Sequence, residues 1–169
     1  GGLYQAFGKR MFDISLSIVA VTILSPIFLL TSILILLEDG YPIFFQQDRY
    51  GAKKKIFILY KFRSMPTNTP DLPSALMKGN KITFVGKIIR RTNIDELPQL
   101  INILRGHMSI VGPRPALVDQ IDLIKMRTAN HSINLRPGLT GLAQINSYKK
   151  MSENEKSKFD STYASQYSF

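Results

Sequence analysis

The longest apolar segment of the chain lies near its N-terminus. Residues 14–37 read ISLSIVAVTILSPIFLLTSILILL, 24 residues without a charge. As an α-helix this segment would be about 36 Å long, which exceeds the roughly 30 Å hydrocarbon core of a bilayer. A soluble domain of this size rarely buries so long an uncharged helix, and a cleaved signal peptide has a shorter apolar region and a small-residue cleavage site. The pattern therefore predicts a membrane segment.

Two features of this segment differ from a simple membrane span. Ser25 and Pro26 lie at its middle, and proline removes a backbone donor and bends a helix. Basic residues flank both ends, because Lys9 and Arg10 precede the segment and all other Lys and Arg residues follow it. The positive-inside rule places both flanks in the cytoplasm. We predict a re-entrant helix–break–helix in which Ser25 covers a freed carbonyl; a straight span is the alternative.

After residue 38 the periodicity predicts a small, mainly helical α+β domain with a short antiparallel β element. The predicted domains are thus residues 1–38, a membrane-embedded re-entrant helix, and residues 39–169, a cytoplasmic domain. Leu117, Ile121 and Ile124 are predicted to share one face of a helix. The predicted strands are 43–47 and 56–62, joined by a basic turn over 48–55, and 142–145; the predicted helices are 84–91, 95–105, 116–129 and 154–167; loops are predicted at 66–73, 106–115 and 136–141.

Composition narrows the class of partner. The 169-residue chain has a net charge of +10, which favours nucleic acid, anionic lipid or phosphorylated small molecules. It has no cysteine, which excludes disulfides, cysteine-ligated metals and thiol nucleophiles, and its two histidines disfavour a histidine-rich metal site. Tryptophan is absent and basic residues rarely alternate with aromatic ones, so we expect no nucleic-acid partner.

A pair of adjacent carboxylates is the first candidate for catalysis. Residues 94–100 read IDELPQL, and because proline is tolerated in the first turn of a helix, Asp95 and Glu96 are predicted at or just before a helix N-terminus. Asn93 or Asp95 would be the cap. The field of the helix would attract phosphate and keep Asp95 ionised, so that Asp95 could ligate Mg²⁺ or attack phosphorus. Acidic residues also cap helices without any catalytic role, which is the alternative.

Candidate phosphate ligands surround the pair in the sequence. Arginines next to proline or glycine sit in rigid turns, which suits bidentate phosphate recognition. One polar site with Mg²⁺ and several arginines suits pyrophosphate chemistry. The candidates are Arg90 and Arg91 just before the pair, Arg114 in Gly-Pro-Arg-Pro at 112–115, Arg136 in Arg-Pro-Gly at 136–138, and Lys61 with Arg63 at the end of a strand.

Together these motifs resemble the bacterial sugar transferases of the monotopic phosphoglycosyl transferase superfamily. The similarity covers nearly the whole chain, and its motifs occur in the same order with sensible spacing. They are Lys9-Arg10 with Asp13, Ser25-Pro26, IFFQQDRYG at 43–51, YKFRSM at 60–65, IDELPQL at 94–100, GHMSIVGPRP at 106–115 and RPGLTGLAQ at 136–144.

The resemblance implies a reaction and a location. Such enzymes transfer a sugar 1-phosphate from a UDP-sugar to undecaprenyl phosphate, release UMP and require Mg²⁺. They act at the cytoplasmic face of the bacterial inner membrane as monotopic proteins, in contact with its lipid. Their reaction is the first membrane step of capsule, O-antigen or glycoprotein glycan synthesis.

The resemblance also implies residue roles. Asp95 would be the nucleophile that forms a covalent phosphosugar–aspartate and a ligand of Mg²⁺, and Glu96 would be a second acid/base or a positioning carboxylate. Arg114 and Arg90 match the family's basic positions, and Lys61 matches more weakly. Asp160, with Tyr163, matches a late Asp-x-x-Tyr pattern and is a candidate acid of the site. Two departures are Leu142, where tryptophan is usual, and His107, where an acid is common.

Three points remain open at the level of sequence. We expect an N-acetylated hexose or deoxyhexose such as N-acetylfucosamine as the sugar, with specificity in the less patterned stretches 66–82 and 146–155. The resemblance implies that a C-terminal segment is missing after Phe169. The rival hypothesis is a membrane-anchored basic module that binds lipid or nucleic acid without catalysis; it explains the charge and the anchor but not a carboxylate pair between arginine-bearing turns.

Overall fold

The computed structural model describes residues 2–67, 69, 82–146 and 150–167. Three 3₁₀ turns occur in these ranges, at Ala52–Lys54, Ile94–Glu96 and Ser132–Asn134. The helices are α1 (Gly2–Asp39), α2 (Phe84–Arg91), α3 (Gln99–Leu104), α4 (Ile121–Ala129), α5 (Leu142–Ile145) and α6 (Glu153–Tyr167), and the strands are β1 (Phe44–Tyr50), β2 (Ile56–Phe62), β3 (Ser109–Val111), β4 (Ala116–Leu117) and β5 (Gly138–Thr140).

Two small sheets organise the chain after α1. An antiparallel sheet has the strand order β2-β1-β4, with Phe44 opposite Phe62 and Tyr50 opposite Ile56. A second sheet consists of the parallel pair β3 and β5, with Ser109 opposite Gly138. The predicted α+β class is confirmed, as are the two strands joined by a basic turn, although β1 continues to Tyr50.

The N-terminal helix α1 is long and apolar. It is the one helix among the described residues that has the length and hydropathy to cross a membrane. One narrow stripe faces the rest of the chain, whereas most other positions, such as Ile23 (70% exposed) and Leu37 (80%), lie at the surface. Val21 packs against the core around Leu59 and Ile103, and Ile35 belongs to the core around Phe62 and Val85.

Both ends of α1 are bound to the same folded unit. Near the N-terminal end, Arg10 donates to the carbonyls of Ile103 (2.6 Å) and Leu104 (2.9 Å), the last residues of α3. At the C-terminal end, Asp39 forms an ion pair with Arg63 at 2.6 Å, and Glu38 accepts from the backbone N–H of Val85 at 2.9 Å. The domain therefore lies alongside α1 over nearly its whole length.

Pro26 lies inside α1. A proline at this position leaves the carbonyl of Thr22, four residues earlier, without its helical donor. The Ser25 hydroxyl donates to that carbonyl at 2.8 Å, which confirms the predicted cover of a freed carbonyl. The segment is one α-helix from Gly2 to Asp39, so the predicted division into two helices is not confirmed.

Several predicted elements need correction. The helix predicted from residue 116 begins at Ile121, because Ala116 and Leu117 pair with β1 as strand β4. Its buried positions are Leu123, Ile124 and Arg127, whereas Ile121 is 60% exposed. The strand predicted at 142–145 is helix α5, and the loops predicted at 106–115 and 136–141 contain β3 and β5. The stretches predicted to carry specificity, 66–82 and 146–155, lie partly outside the described residues.

Candidate active site

The carboxylate pair lies in a tight turn between α2 and α3. After α2, Asn93 adopts a left-handed conformation (φ +57°), which Asn tolerates better than most residues, and its side chain makes no cap. Asp95 and Glu96 then lie in the 3₁₀ turn Ile94–Glu96, and Pro98 precedes α3. The predicted start of the helix at Asp95 is wrong, because α3 begins only at Gln99, and the pair lies just before that helix.

Glu96 is bound by two cations that come from different elements. Lys61, at the end of β2, approaches Oε1 of Glu96 at 2.7 Å, and Arg114, between β3 and β4, donates to the same atom at 2.9 Å. Burial raises the pKa of Glu96, but Arg114 and Lys61 outweigh burial and lower that pKa to about 2. A carboxylate so firmly ionised suits positioning better than proton transfer.

Asp95 is in a different electrostatic state. Its side chain is half-buried and, within the described part of the chain, forms no ion pair. Burial raises the pKa of Asp95 above its ordinary value, the Lys61 and Arg90 charges oppose this, and the Glu96 charge adds to it. The predicted cause of ionisation, a helix N-terminus, is replaced by these two nearby cations. Asp95 is thus a partly desolvated carboxylate that no described cation contacts directly.

Arg90 lies on the Asp95 side of the pair. Its Nε donates to the hydroxyl of Ser64 at 2.7 Å, and Ser64 is a buried residue two positions after the end of β2. The Arg90 charge favours the ionised form of Asp95. Ser64 was not predicted as a site residue, although it belongs to the YKFRSM motif.

The loop that carries Arg114, residues 111–115, is held through its carbonyls; we call it the arginine loop. Gly138 packs against Gly112 of this loop so closely that a Cβ added to Gly138 would lie 2.1 Å from the Gly112 nitrogen. This contact explains why position 138 needs glycine. The loop is therefore a rigid platform for the Arg114 side chain. Val111 O accepts from Lys9 (3.0 Å), Tyr163 (3.0 Å) and Ser109 (3.1 Å), Pro113 O from Gly138 N (2.8 Å), Arg114 O from Arg127 Nη1 (2.9 Å), and Pro115 O from Arg49 Nη1 (3.0 Å).

Two predicted site residues form no ion pair with Asp95 or Glu96 among the described residues. Arg136 is exposed, and its charge lies close to Lys9 and Arg10 near the start of α1. Asp160 is buried in an ion pair with Arg127, whose Nη2 lies 2.7 Å from Oδ2 of Asp160. Burial raises the pKa of Asp160, and Arg127 opposes that shift. The structure thus brings together Asp95, Glu96, Arg90, Arg114 and Lys61.

Sequence reasoning missed Arg127, which contacts the arginine loop. A signal was present in the sequence, because Arg127 follows the buried Ile124 by three residues and therefore lies on the apolar face of α4. A charged residue on such a face needs a buried partner, and Asp160 is that partner.

A divalent cation would find few protein ligands here. Among the described residues no group of three or more His, Asp or Glu side chains is arranged to hold a metal. Mg²⁺, however, typically takes one or two carboxylates, with substrate phosphates and water as its other ligands. Asp95, which has no ion pair in the described ranges, fits that mode of binding, whereas Oε1 of Glu96 is occupied by two cations.

Comparison with known proteins identifies the family. The family model described as bacterial sugar transferase matches residues 4–169. The uncharacterised sugar transferase EpsL of Bacillus subtilis is 40% identical over 161 residues, which cover 95% of this chain and 79% of EpsL. The chain belongs to the bacterial sugar transferase family. The family predicted from the motifs, and with it the class of enzyme, is therefore confirmed.

Other members of the bacterial sugar transferase family carry more specific names. A UDP-N-acetylgalactosamine-undecaprenyl-phosphate N-acetylgalactosaminephosphotransferase of Aeromonas hydrophila is 42% identical over 83% of this chain and 34% of its own length. An undecaprenyl-phosphate galactose phosphotransferase of Salmonella typhimurium is 34% identical over 93% of this chain and 36% of its own length. These two relatives are much longer than the part that this chain matches.

Proposed function

We propose that this bacterial sugar transferase moves a sugar 1-phosphate from a UDP-sugar to undecaprenyl phosphate, with release of UMP. The product is undecaprenyl-diphosphate-sugar, and the reaction would start the synthesis of a capsule, O-antigen or other glycoconjugate. The relatives named as undecaprenyl-phosphate phosphotransferases of N-acetylgalactosamine and galactose support this substrate class. The names differ in their sugar, so the sugar of this chain is a separate question.

The main support for the proposal is that the two carboxylates differ in their ion pairing. Glu96 is neutralised by Lys61 and Arg114, whereas its neighbour Asp95 has no ion pair in the described part of the chain. Glu96 can therefore hold the two cations in place for a phosphate, and Asp95 can act as the nucleophile. A partly desolvated carboxylate is more reactive toward phosphorus than a hydrated one.

The proposed chemistry has two balanced steps. An oxygen of Asp95 attacks the phosphorus that bears the sugar, the bond from that phosphorus to the bridging oxygen breaks, and UMP leaves with the bonding electrons. An oxygen of undecaprenyl phosphate then attacks the same phosphorus, and the Asp95 carboxylate is released. Arg114, Lys61 and Arg90 bind the phosphate oxygens and stabilise their charge. Bound Mg²⁺, held by Asp95 and the diphosphate, would supply further charge neutralisation.

The position of α1 supports a monotopic arrangement at the cytoplasmic face. A helix that crossed the membrane would separate its two ends by the bilayer thickness, yet Arg10 and Asp39 both bind the same folded unit. We propose that α1 enters and leaves on one side, with Ser25 and Pro26 at its deepest point. The lipid phosphate would then reach Asp95 at headgroup height.

A burst experiment without lipid tests the covalent step. The protein is incubated with Mg²⁺ and UDP-glucose, UDP-galactose, UDP-N-acetylgalactosamine or UDP-N-acetylfucosamine in turn, and UMP is measured. We expect a burst of about one UMP per protein with the correct sugar, and a mass increase of one sugar phosphate on a bond labile to hydroxylamine. The same panel with undecaprenyl phosphate added identifies the sugar by its turnover.

Variants of the pair assign the nucleophile. Asp95→Asn should abolish both burst and adduct, because a carboxamide is a poor nucleophile. Glu96→Gln should slow the burst but still form the adduct. An adduct in Asp95→Asn would place the covalent bond elsewhere, with Glu96 as the first suspect. Absence of any adduct in the wild type, with turnover that needs both substrates bound together, would mean direct transfer. Absence of UMP release with every UDP-sugar would favour the binding-module hypothesis.

A further inference from the structure

Helix α6 is connected to the arginine loop by two buried residues, Asp160 and Arg127, which we call the relay. Asp160 on α6 and Arg127 on α4 are 2% and 3% exposed. Nε of Arg127 donates to Oδ2 of Asp160 at 2.8 Å, and Nη2 lies 2.7 Å from the same oxygen. The third nitrogen, Nη1, donates to the backbone carbonyl of Arg114 at 2.9 Å. One guanidinium therefore joins α6 to the residue whose side chain binds Glu96.

The geometry of arginine makes this contact directional. The guanidinium is planar and its donors are fixed relative to one another, so holding one edge determines where the remaining nitrogen points. Asp160 contacts the edge formed by Nε and Nη2 with one oxygen, which accepts the hydrogen bond of Nε and forms an ion pair with Nη2. The direction of Nη1, and hence the position of the Arg114 carbonyl, follows from the position of Asp160.

The same helix face also reaches the other end of the arginine loop. Tyr163, one turn after Asp160 on α6, donates its hydroxyl to the carbonyl of Val111 at 3.0 Å. Asp160 and Tyr163 thus act on opposite ends of a five-residue loop. This gives the late Asp-x-x-Tyr pattern a physical meaning, because residues three apart lie on one face of a helix.

We propose that Asp160 and Arg127 are positioning residues of the transfer reaction: Asp160 orients Arg127, Arg127 fixes the backbone of Arg114, and the Arg114 side chain is thereby aimed at Glu96 and the substrate phosphate. The proposal rests on the proposed function through the role of Arg114 as a phosphate ligand. It assigns Asp160 a task that requires no contact with the reacting atoms.

The alternative is that the ion pair merely joins α4 to α6, and the chain offers a matched control for this. Nδ2 of Asn130 donates to the Ser157 hydroxyl at 2.9 Å. This contact joins the same two helices one turn away from the relay. No described hydrogen bond connects either residue with the arginine loop. Ser157→Ala therefore weakens the helix pair without changing the relay.

Kinetics of the full chain in lipid nanodiscs provide the first test. The donor is whichever of UDP-glucose, UDP-galactose, UDP-N-acetylgalactosamine and UDP-N-acetylfucosamine gives the fastest UMP release with the wild type. Asp160→Asn and Arg127→Lys should each lower kcat/KM about tenfold, since lysine keeps the charge but lacks the second donor edge. Ser157→Ala should stay within about twofold. Equal losses in Ser157→Ala and Asp160→Asn would overturn the proposal.

A double-mutant cycle separates positioning from general weakening. In an Arg114→Ala background the relay has no side chain left to aim, so adding Asp160→Asn should change kcat/KM by less than about twofold. An undiminished tenfold loss in that background would show that the ion pair acts independently of Arg114 and would overturn the proposal. If Arg127→Lys fails to fold, Asp160→Asn can still be used for the test, because asparagine retains one acceptor oxygen for Arg127.

Hydrogen–deuterium exchange without substrate gives a readout independent of activity. Peptides covering residues 111–118 should exchange faster in Asp160→Asn than in the wild type or Ser157→Ala. Unchanged exchange in Asp160→Asn would overturn the relay even if activity falls. If Arg114→Ala retains full UMP release, the proposed role of Arg114 fails, and faster exchange in Asp160→Asn would still support the relay as a structural link. The two failures are therefore distinguishable.

Discussion

Asp95 and Glu96 are adjacent in the chain but have opposite pKa shifts. Burial raises the pKa of both carboxyl groups, and only Glu96 has two cations in direct contact that reverse the effect. The difference arises because Lys61 and Arg114 approach the same oxygen of Glu96 from separate elements. Removing the charge of Glu96 should therefore lower the stability of the fold, whereas removing the charge of Asp95 should raise it.

Replacing Glu96 should destabilise the protein. Its pKa falls from 4.5 to about 2 on folding, which at roughly 1.4 kcal/mol per unit corresponds to about 3 kcal/mol of stability at neutral pH. This stability is present above pH 4.5 and is lost as the pH falls toward 2. Glu96→Gln should therefore unfold more easily than the wild type at pH 7, and the difference should shrink below pH 4.5. Urea unfolding at several pH values measures it.

Replacing Asp95 should have the opposite effect on stability. Its pKa is raised above 3.8 in the folded state, so the ionised form destabilises the fold at neutral pH. Asp95→Asn should raise the midpoint of thermal unfolding at pH 7 while abolishing turnover. The gain should disappear as the pH falls below 3.8, where the carboxyl group is protonated in both states. A lower midpoint at pH 7 would contradict the burial argument.

Arg114→Ala and Arg90→Ala should each lower turnover about tenfold or more. A charge-assisted hydrogen bond to phosphate contributes roughly 1.5–3 kcal/mol, and about 1.4 kcal/mol is a factor of ten in rate. Arg91→Ala is the matched control, because adjacent residues of a helix point in different directions and, among the described contacts, it is Arg90 that donates to Ser64. Steady-state UMP release measures all three, and near-normal turnover in both Arg114→Ala and Arg90→Ala would remove them from the site.

At the scale of elements, the local signals of the sequence explain what could be predicted. Helix α2 has the bounds predicted for it, because Thr83 caps its start by accepting from Gly86 N–H and basic residues end it. The β-branched and aromatic residues that predict β1 and β2 are an equally local signal. Strands β3 and β5 have three residues each and are stabilised by pairing with each other. Because the two segments are far apart in the sequence, no local pattern predicts them.

The site could be predicted only as a set of residue types. The carboxylate pair and three of its cations were recognised, but the turn that presents them depends on the left-handed Asn93, which has no distinctive pattern. Arg127 and Ser64 act through contacts with residues distant in sequence, Asp160 and Arg90. Such pairings arise from tertiary packing and cannot be inferred from spacing.

The effects of substitutions at Ser25 and Pro26 on the stability of α1 should depend on each other. Ser25→Ala leaves the Thr22 carbonyl without a donor, which should destabilise the protein by about 1–3 kcal/mol in a bilayer. Pro26→Ala restores the missing backbone donor, so Ser25→Ala should have little effect in that background. Thermal unfolding in nanodiscs measures this cycle. Pro26→Ala alone should reduce activity by straightening the helix, and unchanged activity would show that the proline is incidental.

For the whole molecule, the docking of both ends of α1 predicts that its two flanks share one side of the membrane. Gly8→Cys is suitable on one flank, since a Cβ there meets nothing within 4 Å. Lys55→Cys suits the other flank better than Gly51→Cys, because a Cβ on Gly51 would lie 3.1 Å from the Lys55 carbonyl. An impermeant maleimide should label Gly8→Cys and Lys55→Cys only from the cytoplasm, and the exposed Ile23→Cys from neither side, because lipid should cover it. Periplasmic labelling of either flank would establish a span.

The packing of α1 also means that the anchor cannot be separated from the enzyme. Val21 and Ile35 belong to the cores that support β2, α2 and α3, and Arg10 caps the end of α3. A water-soluble fragment beginning after residue 39 would expose both cores and remove the hydrogen bonds of Arg10 to the carbonyls of Ile103 and Leu104 at the end of α3. Removal of the anchor would therefore disturb the very elements that present Lys61, Arg90 and the carboxylate pair, and solubility would be gained only with loss of the active arrangement.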